Sequence, residues 1–190
     1  MPFDRLKRRE FLALLGSVVA WPLAASAVEA RILNIVAIGA SNTAGWGVGA
    51  QNSFPSILQV LLRKKGINAN VANAGIPGDV SAGMLNRLDS AVPAGTDLVV
   101  LQPGSNDLRF FGTKERRAAN IEAIVKRLRA RSIRVVVYDP GDLPSDAYQW
   151  DGIHFTAATH AKIAAALAAE IAGAENVQPS GPVAHAGRAK

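Results

Sequence analysis

Four short, mostly β-branched apolar runs separated by helical patterns predict an α/β fold, with a parallel sheet and helices on both of its faces. Most of these runs do not alternate polar and apolar residues, which suits strands buried on both sides. Each run is followed by a loop that sets glycine beside Ser, Asn, Asp or His. In an open parallel sheet those loops leave the carboxyl ends of the strands, where ligands bind.

The first run, residues 32–38, ends in "GASNTAG". A helix follows over residues 53–65, with Ile57, Leu58, Leu61 and Leu62 on one face and Gly66 as its stop. The second run, residues 67–72, leads into "NAGIPGD", and a helix over 80–91 carries Met84, Leu85 and Leu88. The third run, residues 97–101, ends in "QPGSND" and precedes a helix over 114–131 with Ile121, Ile124, Val125 and Leu128 inward. The fourth run, residues 133–138, opens the loop "DPGDLPSDAYQWDGIH". Thr156 is placed to cap the last helix, whose apolar face includes Ile163, Leu167 and Ile171. No repeat or linker divides this stretch, so residues 31–173 form one expected domain.

The two ends read differently. Residues 1–30 have a basic start, an apolar stretch and then small residues, the layout of a secretory signal. Arg8-Arg9 followed by Phe11-Leu12 adds a twin-arginine pattern, a receptor-read export address. The expected partners are the twin-arginine export machinery and signal peptidase, and the expected location is periplasmic or secreted. Residues 174–190 lack periodicity and are rich in small and polar residues, which predicts a disordered tail.

Composition narrows the function. The 190 residues contain no cysteine, which excludes a disulfide framework, a thiolate zinc site and a cysteine nucleophile. The formal net charge of +6 is spread along helices without interleaved aromatics, so nucleic acid is not an expected partner. A phosphate cradle fails on spacing. No lysine follows Gly45 as a P-loop needs, and Gly45-x-Gly47-x-Gly49 does not match a dinucleotide loop.

A nucleophile fits better. Ser41 lies just past the first strand, where a hydroxyl projects over the sheet edge. It needs a base to take its proton. Of three histidines, His185 lies in the tail and His160 inside the last helix, where a helix-surface or packing role accounts for it. His154 lies in a loop at the predicted active edge, three residues after Asp151, so one tight turn brings a carboxylate to its Nδ1. Acyl transfer also needs oxyanion donors. The backbone N–H of Ser41, Gly78 in "GIPGD" and the side-chain amide of Asn106 in "GSND" are candidates. Each of these residues also has an ordinary structural explanation as a turn or cap.

Taken together, Gly39-x-Ser41, "NAGIPGDVSAGMLNRL" at 73–88, Gly104-x-Asn106-Asp107 and Asp151-x-x-His154 resemble, in order and spacing, the conserved blocks of the SGNH (GDSL-type) hydrolase superfamily. "NAGIPGDVSAG" and "DLVVLQPGSNDLR" look most like its arylesterase and thioesterase/lysophospholipase branch. The resemblance implies a flavodoxin-like three-layer αβα sandwich of strand order 2-1-3-4-5 and ester or thioester hydrolysis through an acyl-enzyme, without a cofactor. It implies Ser41 as nucleophile, His154 as general base and acid, and Asp151 as its orienting carboxylate. Ser41, Gly78 and Asn106 would hold the oxyanion. The alternatives are a carbohydrate O-deacetylase on the same machinery and a non-catalytic binding module of the same fold.

Two departures from the family pattern stand out. Ala40 occupies the place of the family aspartate, which bears on how rigidly the Ser41 loop is held. Twelve residues separate Tyr138 from Asp151, so the fifth strand is expected to be short and the acyl site shallow. Trp46 and Trp150 lie close to the catalytic blocks and are candidates for a substrate rim, although structural packing explains them as well.

Overall fold

The computed structural model describes residues 31–110, 112–141 and 143–177. The expected signal segment, residues 1–30, lies outside the described residues. Among the described residues four strands form, at or within a few residues of the four apolar runs: β1 (Leu33–Gly39), β2 (Ala69–Gly75), β3 (Leu98–Gln102) and β4 (Arg134–Val137). All pair in parallel, in the order β2-β1-β3-β4. Gly39 lies opposite both Gly75 of β2 and Gln102 of β3, so three strands end level and their loops leave from one edge.

Side chains alternate across a strand, and the central strands are apolar on both faces. Leu33, Ile35 and Ala37 of β1 and Leu98 and Val100 of β3 face one way. They pack against Phe54, Leu58 and Leu62 of α2 (Phe54–Lys64) and Ile163, Leu167 and Ile171 of α7 (Ala157–Val177). Val36, Ile38, Val99 and Leu101 face the other way. There they meet Met84 of α3 (Ser81–Asn86), Leu88 of α4 (Leu88–Ala91), and Ile124 and Leu128 of α6 (Lys114–Ala130). This is the expected α/β architecture, a parallel sheet between two helical layers. Two short helices complete it at the strand ends: α1 (Ser41–Ala44) and α5 (Asn106–Phe110).

Four expectations need correction. The expected fifth strand does not form among the described residues. After β4 the chain carries Pro140, Gly141 and Pro144, and proline has no N–H to give to a ladder. The segment instead folds back on itself through an antiparallel bridge between Tyr148 and Phe155, with Thr156 N donating to Ala147 O at 3.0 Å. β2 and β4 are edge strands and are not buried on both faces: Ala69 alone is buried in β2 and no residue is in β4, since the helical layers cover the rim of the sheet only in part. The helix expected over 80–91 breaks at Arg87, whose ψ of 10° leaves the helical region. Its guanidinium turns back to Asp79 (Nε to Oδ2, 2.8 Å) and to the carbonyl of Gly39 (3.1 Å). Finally, α7 continues to Val177, four residues into the stretch expected to be tail, and Glu175 there pairs with Arg134 of β4. Residues 178–190 lie outside the described residues. Thr156 does cap α7, its Oγ1 accepting from Thr159 N at 3.3 Å.

Candidate active site

The turn that carries Ser41 is built from close approaches. A Cβ on Gly39 would stand 2.0 Å from Thr43 Oγ1, and one on Gly75 would stand 2.3 Å from Ala44 N. Only glycine lets the first turn of α1 sit directly on the ends of β1 and β2. Thr43 Oγ1 donates to Gln102 Oε1 at 2.9 Å, and Asn73 Nδ2 donates to Thr43 O at 2.8 Å. Ala40, in place of the family aspartate, is buried in the second core cluster with Met84 and Leu88. The Ser41 turn is therefore held by its neighbours at Thr43 and Gly39. Ser41 itself is 8 % exposed.

The second loop forms a tight turn over residues 76–79, closed by Asp79 N donating to Ile76 O at 3.1 Å. Pro77 and Gly78 take its two central positions, and Gly78 has a φ of +81°, the conformation a glycine supplies without strain. Asp79 fixes the turn by accepting from Val80 N and Arg87 Nε. Asn106 opens α5 and donates through Nδ2 to Asp79 O at 2.8 Å, which ties the third loop to the second. An amide carries two N–H donors, so this bond leaves one over. Asp107 is buried and accepts from both the backbone N–H and the hydroxyl of Ser81 (2.9 and 2.6 Å), locking α5 against α3.

The fourth loop holds the histidine. His154 Nδ1 lies 2.5 Å from Asp151 Oδ2, while Asp151 Oδ1 accepts from Ile153 N at 2.9 Å and His154 N at 3.0 Å. The backbone N–H of His154, then its ring, then the N–H of Ile153 stabilise the charged carboxylate, and hold its pKa down at about 2. An ionised carboxylate on Nδ1 leaves Nε2 as the nitrogen available to chemistry.

Ser41, Gly78, Asn106 and His154 line one cavity of about 240 Å³, together with Trp46, Pro77, Arg109 and Ile153. Ser41 and His154 are not hydrogen-bonded to each other in this structure. Catalytic hydrogen bonds of this kind are often loose before substrate binds. The Trp46 ring lies 5.7 Å from the His154 ring and forms part of the wall. Trp150 is 96 % exposed and does not line this cavity. The structure thus does not bring the second expected rim residue to the site, because the fold-back of residues 148–155 turns it outward. His160 also stands apart. It is fully buried between Phe54 and Phe155, with Nδ1 accepting from Phe54 N at 3.2 Å. Burial pushes its pKa down to about 4.

Several residues at the site were not singled out from the sequence, Asn42 and Arg109 among them. Asn42 donates through Nδ2 to Ile153 O at 3.2 Å and accepts at Oδ1 from Phe155 N at 2.8 Å. It grips the backbone on both sides of His154 from a position next to Ser41. In "GASNTAG" it is indistinguishable from a turn asparagine.

The model of the GDSL-like Lipase/Acylhydrolase family matches residues 37–179. Among curated proteins, the chain is 32 % identical over 114 residues to the esterase TesA of Pseudomonas aeruginosa, covering 57 % of this chain and 55 % of that one. It is 29 % identical over 128 residues to an arylesterase of Vibrio mimicus, covering 66 % of this chain and 62 % of that one. The chain therefore spans less than two thirds of the length of either relative. Among solved structures, the psychrotrophic esterase EstA of Pseudoalteromonas sp. superposes with a TM-score of 0.65 at 19 % identity, over 75 % of this chain and 98 % of that one. That likeness is one of fold.

Proposed function

This chain belongs to the GDSL-like lipase/acylhydrolase family, and from that premise we propose that it is a serine ester hydrolase working through an acyl-enzyme. The observation that carries the reading is the convergence of Ser41, Gly78, Asn106 and His154 on one cavity, with His154 Nδ1 held by an ionised Asp151. The esterase and arylesterase relatives support ester hydrolysis as the reaction class.

In this mechanism Ser41 Oγ attacks the acyl carbonyl carbon and its proton passes to His154 Nε2. The carbonyl π electrons move to oxygen, and the resulting oxyanion is met by the N–H groups of Ser41 and Gly78 and the remaining amide proton of Asn106. The C–O bond to the leaving group breaks as His154 returns the proton to it. Water, deprotonated by His154, then attacks the acyl-serine, and the acid leaves with Ser41 restored. Asp151 stays ionised throughout and keeps the imidazole in the tautomer that presents Nε2. No step needs a metal or an organic cofactor.

The short Tyr148–Phe155 fold-back that takes the place of a fifth strand keeps a carbohydrate O-deacetylase as the second reading, since acetyl, the smallest acyl group, needs the least wall. The basic, apolar and small-residue order of residues 1–30 supports export as the route by which the protein meets its substrate.

The test is hydrolysis of p-nitrophenyl acetate, butyrate and octanoate by the protein, with Ser41→Ala beside it. Turnover falling with chain length, and reduced by orders of magnitude in Ser41→Ala, is the expected result. Equal turnover in both proteins sinks the nucleophile assignment. No turnover from a folded parent leaves the binding-module reading in its place.

A further inference from the structure

Resting on the reading that Ser41 attacks an ester, we propose that a second cavity beside the nucleophile is a selectivity subsite for an anionic group on the substrate, held by Arg109. This cavity has a volume of about 310 Å³, and Arg109 and Ile153 line both it and the Ser41 cavity. A molecule whose ester lies at Ser41 thus reaches the second cavity past these two side chains.

The walls of the two cavities differ in chemistry. The first is built around Trp46, Pro77 and Ile153. The second is mixed, with Gln102, Ser105, Arg117 and Asp139 beside Leu108 and Tyr148. A substrate group placed against its polar part has to replace the hydrogen bonds those side chains make to water.

The charges in the second cavity do not cancel. Arg117 is matched, with Nη2 at 2.8 Å from Asp139 Oδ2 and Nε donating to Gly104 O at 3.0 Å. Arg109 is not. Its hydrogen bond runs from Nε to Ser105 Oγ at 3.3 Å, and among the described residues no carboxylate pairs with it. Two guanidinium groups facing one carboxylate leave one positive charge over. The terminal nitrogens of Arg109 form a fork whose geometry matches a carboxylate or a phosphate. Arg109 is exposed, so an anion here would take the place of water on the guanidinium at the junction of the two cavities.

The test uses two matched pairs of esters. In one the charge is on the acyl side (p-nitrophenyl hydrogen adipate against p-nitrophenyl hexanoate). In the other it is on the leaving group (p-acetoxybenzoate against its methyl ester). The measured quantity is the ratio of kcat/KM for the anionic ester to that for the neutral one. In at least one pair the ratio is expected to fall about tenfold in Arg109→Gln, through KM, as one charge-assisted hydrogen bond is lost. Arg109→Lys, which keeps the charge but not the fork, is expected to recover part of it. A ratio that Arg109→Gln leaves unchanged in both pairs overturns the subsite while the Ser41 reading stands. Turnover that survives Ser41→Ala, or no turnover of any ester, overturns the catalytic reading instead. The subsite is then judged by binding to the Ser41→Ala protein, followed by NMR titration. Monomethyl adipate binding more tightly than dimethyl adipate, with the difference lost on adding Arg109→Gln, supports it. Equal binding of the two overturns it.

Discussion

Removing the Asn42 side-chain amide is expected to loosen the loop that carries His154. Asn42 joins two segments more than a hundred residues apart, donating to Ile153 O at 3.2 Å and accepting from Phe155 N at 2.8 Å. Both bonds are partly buried. A hydrogen bond of this kind contributes about 1 kcal/mol net, so Asn42→Ala forfeits about 2 kcal/mol when both go. For a chain of this size that corresponds to a fall in melting temperature of roughly 4–8 °C. If the bridge also sets where His154 stands in the transition state, the same energy appears in the barrier, and kcat falls by up to roughly thirtyfold with KM little changed. Asn42→Asp keeps the acceptor for Phe155 N but sets a carboxylate oxygen against the Ile153 carbonyl, so it is expected to be at least as damaging as Asn42→Ala in both readouts. The assay is thermal unfolding beside p-nitrophenyl acetate kinetics on the same preparations. A lowered melting temperature with full kcat would refute the positioning role and leave Asn42 as a structural tie. No change in either would mean that the bridge contributes nothing.

Two further outcomes follow from the packing. His160 is buried with its pKa depressed from 6.5 to about 4, so between those values the unfolded chain binds a proton that the native chain does not. Stability is therefore expected to rise with pH across that window, by about 3 kcal/mol from this residue. In His160→Gln the rise should be smaller by that amount, and a parallel pH dependence of denaturant midpoints in the two proteins would refute the assignment. At Gly39, a Cβ would stand 2.0 Å from Thr43 Oγ1 and 2.7 Å from the Gln102 carbonyl. Backbone cannot yield as a side chain does, so Gly39→Ala is expected to cost more than about 2 kcal/mol. Its melting temperature should drop well below that of an alanine placed at the unobstructed Gly173, and equal stability would show that the turn can shift.

Much of the site could be read from the chain because its parts are local. The turn over residues 76–79 follows from Pro77 and Gly78 sitting side by side, and the placement of Asp151 on His154 follows from a three-residue spacing. Such features are specified by backbone preferences within a few residues, and they stay the same wherever the loop ends up. The apolar runs of β1 and β3 likewise announce buried strands, because burial on both faces demands a continuous apolar sequence.

What remained hidden depends on contacts across the chain. Asn42 gains its partners only when the first and fourth loops meet, and Arg109 stands out only because Asp139 is already taken by Arg117. Trp150 has the composition of a rim residue but is turned to solvent by the Tyr148–Phe155 fold-back, which also takes the place of the expected fifth strand. The helix over 80–91 breaks at Arg87, whose guanidinium bonds the Gly39 carbonyl 48 residues earlier. The sequence by itself determined the fold class and the residue types carried by the loops after each strand, since periodicity and turn chemistry act locally. Tertiary structure alone decided which side chains share a cavity, which charges are neutralised and where the sheet stops. Those outcomes are settled by pairings between distant segments, and no local pattern encodes them.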